Sequence, residues 1–230
     1  MALIVLWDID RTLIDNGGVS KEIYAAAYET VAGRRPLEPP VTQGRTDRLV
    51  MRDMFARNGA AEPEWPRVEA ALTRAGRDRL ATLRTRGAAL PGAREVLKAA
   101  SVRPGWVSSV LTGNIAANAR LKLAAFDLDP LLDLAVGAYG ADAEGRPDLV
   151  AVARDRVHRA HGLPATTPVV LLGDTPQDVA AALASGSHII AVSTGTDSPA
   201  ALTAAGARVV LPDLADTARV LRLLETVEGA

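Results

Sequence analysis

Ala2-Leu3-Ile4-Val5-Leu6-Trp7-Asp8-Ile9-Asp10-Arg11-Thr12-Leu13 joins an unbroken apolar run to two carboxylates one residue apart. A continuous rather than alternating run predicts a parallel strand covered on both faces. In an open α/β sheet, ligands bind beyond the carboxyl ends of the strands, which is where Asp8 and Asp10 fall. Two acids so placed are costly unless a cation or a proton shares the site. An Asp-rich turn leading to the next helix is the simpler alternative.

Outward from this stretch, further apolar runs predict strands at Trp106–Leu111, Leu134–Val136, Val169–Leu172, Ile189–Val192 and Val209–Leu211. Ala-rich helical patterns lie between them, near 92–101, 114–126, 147–161, 176–185, 199–205 and 213–226. Strand–helix alternation of this kind implies an α/β fold, a doubly wound parallel sheet. Residues 16–88 interrupt it with three helical patterns, near 20–32, 46–57 and 66–86, bracketed by Asn16-Gly17-Gly18 and Leu90-Pro91-Gly92. They predict an inserted α-helical cap domain at 16–88, with the core formed by 1–15 and 89–230.

Two other strand ends carry chemistry. Val169-Val170-Leu171-Leu172-Gly173-Asp174-Thr175-Pro176-Gln177-Asp178 places one acid at a strand end and another at a helix mouth. Asp178 also reads as a first-turn acid complementing the helix dipole. If the two strands are neighbours, Asp8, Asp174 and Asp178 converge on a site suited to a hard cation such as magnesium. Ser109-Val110-Leu111-Thr112-Gly113-Asn114 ends a strand in a hydroxyl at a helix start, a phosphate cradle or a plain N-cap. The three ends together fit phosphoryl transfer through a carboxylate nucleophile with metal assistance.

The order of these motifs resembles the haloacid-dehalogenase superfamily, in its phosphoglycolate-phosphatase-like branch, over essentially the whole chain. Asp8 through Thr12 match its first motif, Thr112-Gly113-Asn114 its second, and Gly173-Asp174 through Asp178 its fourth. The resemblance implies a Rossmann-like core and a Mg2+-dependent phosphatase acting through an aspartyl-phosphate. It implies that Asp8 attacks phosphorus, and that Asp10 protonates the leaving oxygen, activates water and offers its carbonyl to the metal. Thr12 would support the loop, and Thr112, Gly113 and Asn114 would hold phosphate oxygens. Asp174 would join Asp8 and Asp10 as a metal ligand, and Asp178 would be a further ligand or orient a metal-bound water.

Two departures stand out. Arg11 occupies a position that is usually Gly in this branch. The third motif, usually Lys before Pro, is matched by Arg146-Pro147-Asp148, because Lys occurs only at 21, 98 and 122. Lys122 is the rival cation, but eight residues beyond Asn114 amount to about 12 Å of helical rise, so Arg146 is preferred. In the helical insertion, Val41-Thr42-Gln43-Gly44-Arg45-Thr46-Asp47 opens a helix. Arg45, Thr46 and Asp47 are candidates for reading substrate, against simple N-capping by Thr46.

Composition narrows the class. The chain has 230 residues, no Cys and a formal net charge of -1, which excludes disulfides and cysteine–zinc sites and offers no basic field for nucleic acid or membrane. The apolar start is too short for a signal-peptide core, and no apolar run reaches membrane-span length. A cytoplasmic enzyme acting on a small phosphorylated metabolite is expected. Asp10 argues against halo-acid cleavage, since halide leaves without a proton. Phosphonate cleavage through a Schiff base would need a cap lysine, and the one available is Lys21. A catalytically silent interaction protein is the non-enzymatic alternative.

Overall fold

The computed structural model describes residues 2–229; Met1, part of the apolar start, and Ala230, the last residue of the expected core, lie outside them. Strand β1, Leu3–Trp7, alternates between two apolar clusters. Leu3, Val5 and Trp7 enter one, Ile4 and Leu6 the other, and all five are buried. Each such side chain contributes about 1.5–3 kcal/mol by leaving water, which is why the run carries no polar residue.

The described helices and strands continue as β2 (Ile14–Asp15), α1 (Val19–Ala32), α2 (Asp47–Arg57), α3 (Trp65–Asp78), α4 (Leu80–Arg86) and β3 (Ala88–Ala89). Then come α5 (Ala93–Ser101), β4 (Trp106–Val110), α6 (Ala116–Ala124), α7 (Arg146–His161) and β5 (Val169–Gly173). The chain closes with α8 (Pro176–Ala184), β6 (His188–Val192), α9 (Pro199–Ala204), β7 (Val210–Leu211) and α10 (Thr217–Glu228).

The main sheet has the order β4-β1-β5-β6-β7, with every paired neighbour parallel. Residues of α5, α6 and α10 fill the cluster on one face, and those of α7 and α8 fill the other. Because β1 lies between β4 and β5, the three chemistry-bearing strand ends are adjacent at one rim.

One expected strand is absent. Leu134–Val136 forms a turn; the chain meets the sheet through the Asp133 amide, which donates to the Ser108 carbonyl at 2.8 Å, and at Ala138, which bridges Leu111. Asp133 turns the backbone by accepting from the Ala135 amide, and Tyr139 Oη donates to the Leu134 carbonyl at 2.6 Å. Leu134 and Val136 are buried, so the apolar signal came from packing rather than sheet pairing. The expected helix at 66–86 is likewise two, α3 and α4, divided at Arg79.

Helices α1–α4 pack around an apolar cluster of their own, including Tyr28, Phe55, Met54 and Leu72. The chain leaves and re-enters the α/β part through a short antiparallel ribbon, β2 against β3. No helix among the described residues is long and apolar enough to cross a membrane.

Candidate active site

Asp8 extends β1 by one residue, its amide donating to the Leu172 carbonyl at 2.8 Å. Asp174 follows β5, and Asp178 sits in the first turn of α8. Carboxylate oxygens of Asp8, Asp174 and Asp178 all lie within 4.8 Å of one another, and all three residues are buried. Asp178 has two local duties as well. Its Oδ2 accepts from the Thr175 amide and hydroxyl at 3.1 and 2.6 Å, closing a capping box at the start of α8.

Arg146, at the first position of α7, meets these acids. Its Nη2 is 2.6 Å from Asp178 Oδ1 and 3.0 Å from Asp8 Oδ1, and the residue is only 7% exposed. Burial opposes the guanidinium charge, but Asp178, Asp8 and Asp174 outweigh it and hold it protonated. One cation is nevertheless shared by three acids. Burial lifts the Asp8 carboxyl to about 7 despite Arg146, with Asp178 and Asp10 adding to the rise. Burial, then Asp8 and Asp178, lift Asp174 to about 9. Clustered oxygen donors with uncompensated negative charge suit a hard divalent cation, so Asp8, Asp174 and Asp178 could hold Mg2+.

Asp10 is held differently. Its Oδ2 accepts from Lys122 Nζ at 2.5 Å and from Asn114 Nδ2 at 2.8 Å, and its Oδ1 from Asn16 Nδ2 at 2.7 Å. Burial raises its pKa, but Lys122 and the two amides pull harder, leaving it below the usual carboxylate value. Lys122 therefore reaches the site despite its distance along the helix. Helix α6 begins only at Ala116, so the rise is about 9 Å, and side chains on a helix lean toward its N-terminus. The two cations do not compete for one position. Arg146 serves Asp8 and Asp178; Lys122 serves Asp10 and Asn114 Oδ1, the latter at 2.6 Å.

A cavity of about 440 Å³ opens over the rim, lined by Asp8, Asp10, Thr112, Gly113, Asn114 and Arg146 among others. Thr12 does not line it; its hydroxyl donates to Asp174 Oδ1 at 3.3 Å and braces that acid. Arg11 adopts φ +66°, the left-handed region that explains why glycine is usual there. Its carbonyl accepts from the Thr194 hydroxyl, and its Nη1 lies 3.1 Å from Asp15 Oδ2, so both ends of the strained residue are tied.

Of the three candidates in the helical insertion, only Arg45 lines this cavity. Its Nη1 lies 3.4 Å from Asp53, folded toward α2. Thr46 caps α2, accepting from the Leu49 amide at 3.4 Å, and its hydroxyl donates to the Glu144 carbonyl at 3.2 Å. Asp47 is buried behind the cavity, where Tyr24 Oη donates to it at 2.5 Å and the Ile115 amide at 2.7 Å. Burial, against those two hydrogen bonds, raises its carboxyl to about 6. The Asp47 amide in turn donates to the Gly113 carbonyl at 2.7 Å. A Cβ on Gly113 would stand 2.2 Å from the Arg45 carbonyl, so glycine here permits the insertion to rest directly on the Thr112–Asn114 loop.

Ser20, Tyr24 and Thr196, which carried no signal in the sequence, line the cavity together with Asn16, read as hinge punctuation, and Lys21, read as the one cap lysine. Asn16 and Lys21 flank the glycine pair read as a hinge, which was the available signal. On α7, His161 Nε2 is 2.8 Å from Asp133 Oδ2, and His158 Nδ1 is 2.7 Å from the Leu163 carbonyl.

Several solved structures share this architecture. A hydrolase from Pseudomonas syringae is 20% identical over 96% of this chain and 98% of its own, with a TM-score of 0.68. A protein described as a predicted phosphoglycolate phosphatase from Haemophilus somnus 129pt is 16% identical over 96% and 98%, at 0.67. CbbY from Rhodobacter sphaeroides, in complex with phosphate, is 19% identical over 94% and 96%, at 0.65. These likenesses establish the fold. No curated protein sequence matches the chain. The model of the haloacid dehalogenase-like hydrolase family matches residues 5–183, spanning all three strand-end motifs, and the chain belongs to that family.

Proposed function

We propose that the protein is a Mg2+-dependent phosphatase that hydrolyses small phosphorylated metabolites, of the phosphoglycolate or sugar phosphate type, through an aspartyl-phosphate. The observation that carries this reading is the convergence of Asp8, Asp174 and Asp178 beside Arg146, with Asp10 two residues past the nucleophile. Asp8 would attack phosphorus while the ester P–O bond breaks and the leaving oxygen takes a proton from Asp10. Water would then attack the phosphoryl group, its proton passing to Asp10 and the carboxylate of Asp8 returning. Held by Lys122, Asn114 and Asn16, Asp10 is equipped for the second half. The first half requires that it carry a proton, which the Lys122 contact opposes.

Thr112, Gly113, Asn114 and Arg146 would seat the phosphate oxygens. Mg2+, held by Asp8, Asp174, Asp178 and the Asp10 carbonyl, would supply charge neutralisation at the phosphate. The cavity volume fits a small metabolite, and the net charge of -1 favours neither nucleic acid nor an anionic membrane as partner. A cytoplasmic location completes the reading, on the composition alone.

The test is turnover of a phosphate-ester panel with Mg2+. Asp8→Asn is expected to lose about 10⁴-fold or more in kcat, because an amide is a poor nucleophile. Full activity in that variant refutes the mechanism, and no turnover of any ester favours a non-enzymatic role. Phosphonate cleavage is the second reading, favoured by the presence of Lys21 at the cavity. Borohydride trapping of a phosphonoaldehyde on Lys21 would select it.

A further inference from the structure

Asp47 opens α2 in the helical insertion, where Thr46 already provides the cap. Its polar groups turn to the α/β part instead. The Asp47 amide donates to the Gly113 carbonyl at 2.7 Å, and Asp47 Oδ2 accepts from the Ile115 amide at 2.7 Å. Those are the residues on either side of Asn114. Tyr24 Oη, from α1, donates to the other carboxylate oxygen at 2.5 Å. Ile115 is the N-cap of α6 and brings no side-chain cap, so Asp47 caps that helix from a different part of the chain. The loop is tied to the core on its other side. The Thr112 amide donates to the Ala138 carbonyl at 3.0 Å, and the Gly140 amide to the Asn114 carbonyl at 2.8 Å. Between these two sets of bonds, Asn114 Nδ2 reaches Asp10 Oδ2 and Thr112 Oγ1, each at 2.8 Å. Asp47 is 1% exposed and does not line the 440 Å³ cavity, so it acts on a bound group only through the loop. A carboxylate so buried is costly unless its oxygens are bonded, and here both are.

Taking the phosphatase reading as its basis, we infer that Asp47 is a positioning residue for phosphate: by holding Gly113 and Ile115 it fixes the Thr112–Asn114 loop, which is complete only when the helical insertion supplies this carboxylate. Without it the Ile115 amide and the first turn of α6 lose their partner, and the loop relaxes from the geometry that faces phosphate. Asn at this position keeps the grip. Its Oδ1 accepts from the Ile115 amide, and its Nδ2 donates to Tyr24, whose hydroxyl turns to accept.

The test is the dissociation constant of inorganic phosphate with Mg2+, measured by calorimetry at a temperature where every variant is folded. Asp47→Ala should weaken phosphate binding about tenfold, and Asp47→Asn should stay within about threefold of the parent. Met54→Ala, which empties part of the insertion's own apolar cluster, controls for stability. It should lower the urea midpoint and leave phosphate binding unchanged. If Asp47→Ala does not fold, Asp47→Leu with Tyr24→Phe takes its place, since no buried hydroxyl is then orphaned, and the same tenfold loss is expected. Parental affinity in that variant, an equal loss in Met54→Ala, or an Asp47→Asn as weak as Asp47→Ala overturns the positioning role. So does a parent that binds no phosphate. Ester turnover by the parent is scored separately. Turnover with a phosphate affinity indifferent to Asp47→Ala retires the positioning role and keeps the phosphatase reading; a tenfold loss without turnover of any ester does the reverse.

Discussion

On the sheet side of the cavity, charge is concentrated: Asp8, Asp174 and Asp178 crowd around one guanidinium, all of them buried. On the helical side, Arg45 has its own acid, partly exposed, and the exposed Lys21 has none among the described residues. The first arrangement is costly unless a proton or a cation shares it. The second is neutralised locally, apart from Lys21, which lies in solvent. Charge is thus pooled and buried at the strand ends, whereas on the helical side it is paired locally or left to solvent.

The largest effect on this contrast should follow from removing the shared cation. Arg146→Met leaves three buried acids uncompensated and should cost about 3–5 kcal/mol, read as the urea midpoint of unfolding. Arg146→Lys should recover part of that stability, since the positive charge remains. A midpoint unchanged in Arg146→Met would show that the rim acids are not held by that cation.

Asp47 joins the two walls, and its pH dependence runs opposite to that of a salt-bridged acid. Its carboxyl is raised from 3.8 to about 6, burial being the main cause. The folded protein therefore holds a proton that the unfolded chain releases, so this contribution is greatest at low pH and is lost as pH rises through about 6. In urea unfolding, the stability of the parent relative to Asp47→Asn should decline between about pH 4 and 7, by up to about 3 kcal/mol. A relative stability that climbs with pH would mean that Tyr24 and the Ile115 amide dominate over burial.

Metal binding probes the rim directly. Saturating Mg2+ should stabilise the protein by about 2–3 kcal/mol, seen as a rise of a few degrees in Tm. Asp174→Asn should abolish most of that rise, and an undiminished rise would locate the metal elsewhere. The smallest change is expected at Arg52, whose 3.0 Å pair with Glu144 also spans the two walls but lies in solvent. Arg52→Ala should shift stability by less than about 0.5 kcal/mol. A large loss there would erase the distinction between buried and exposed pairing.

The rim was legible because burial on both faces of a parallel strand excludes polar residues until the strand ends. An acid that appears at that point is conspicuous, as with Asp8 after Trp7 and Asp174 after Gly173. The same rule misread Leu134–Val136, since a buried turn needs apolar residues just as a strand does. Lys122 was underrated because linear distance along a helix ignores where the helix begins and which way its side chains lean. Thr46 and Asp47 were recognised as important, yet their spacing could not reveal that they face the Gly113 loop and Tyr24 rather than the cavity.

By itself the sequence determined the strand-end acids, their order along the chain and the insertion between the first two motifs. These features are local, written in apolar runs and the residues that end them. Tertiary structure alone decided which cation serves which acid, that Asp47 is a buried link, and that Lys21 lines the cavity. Those outcomes depend on distances between residues up to more than a hundred positions apart, as between Lys122 and Asp10, and only the packing of helices against the sheet sets them.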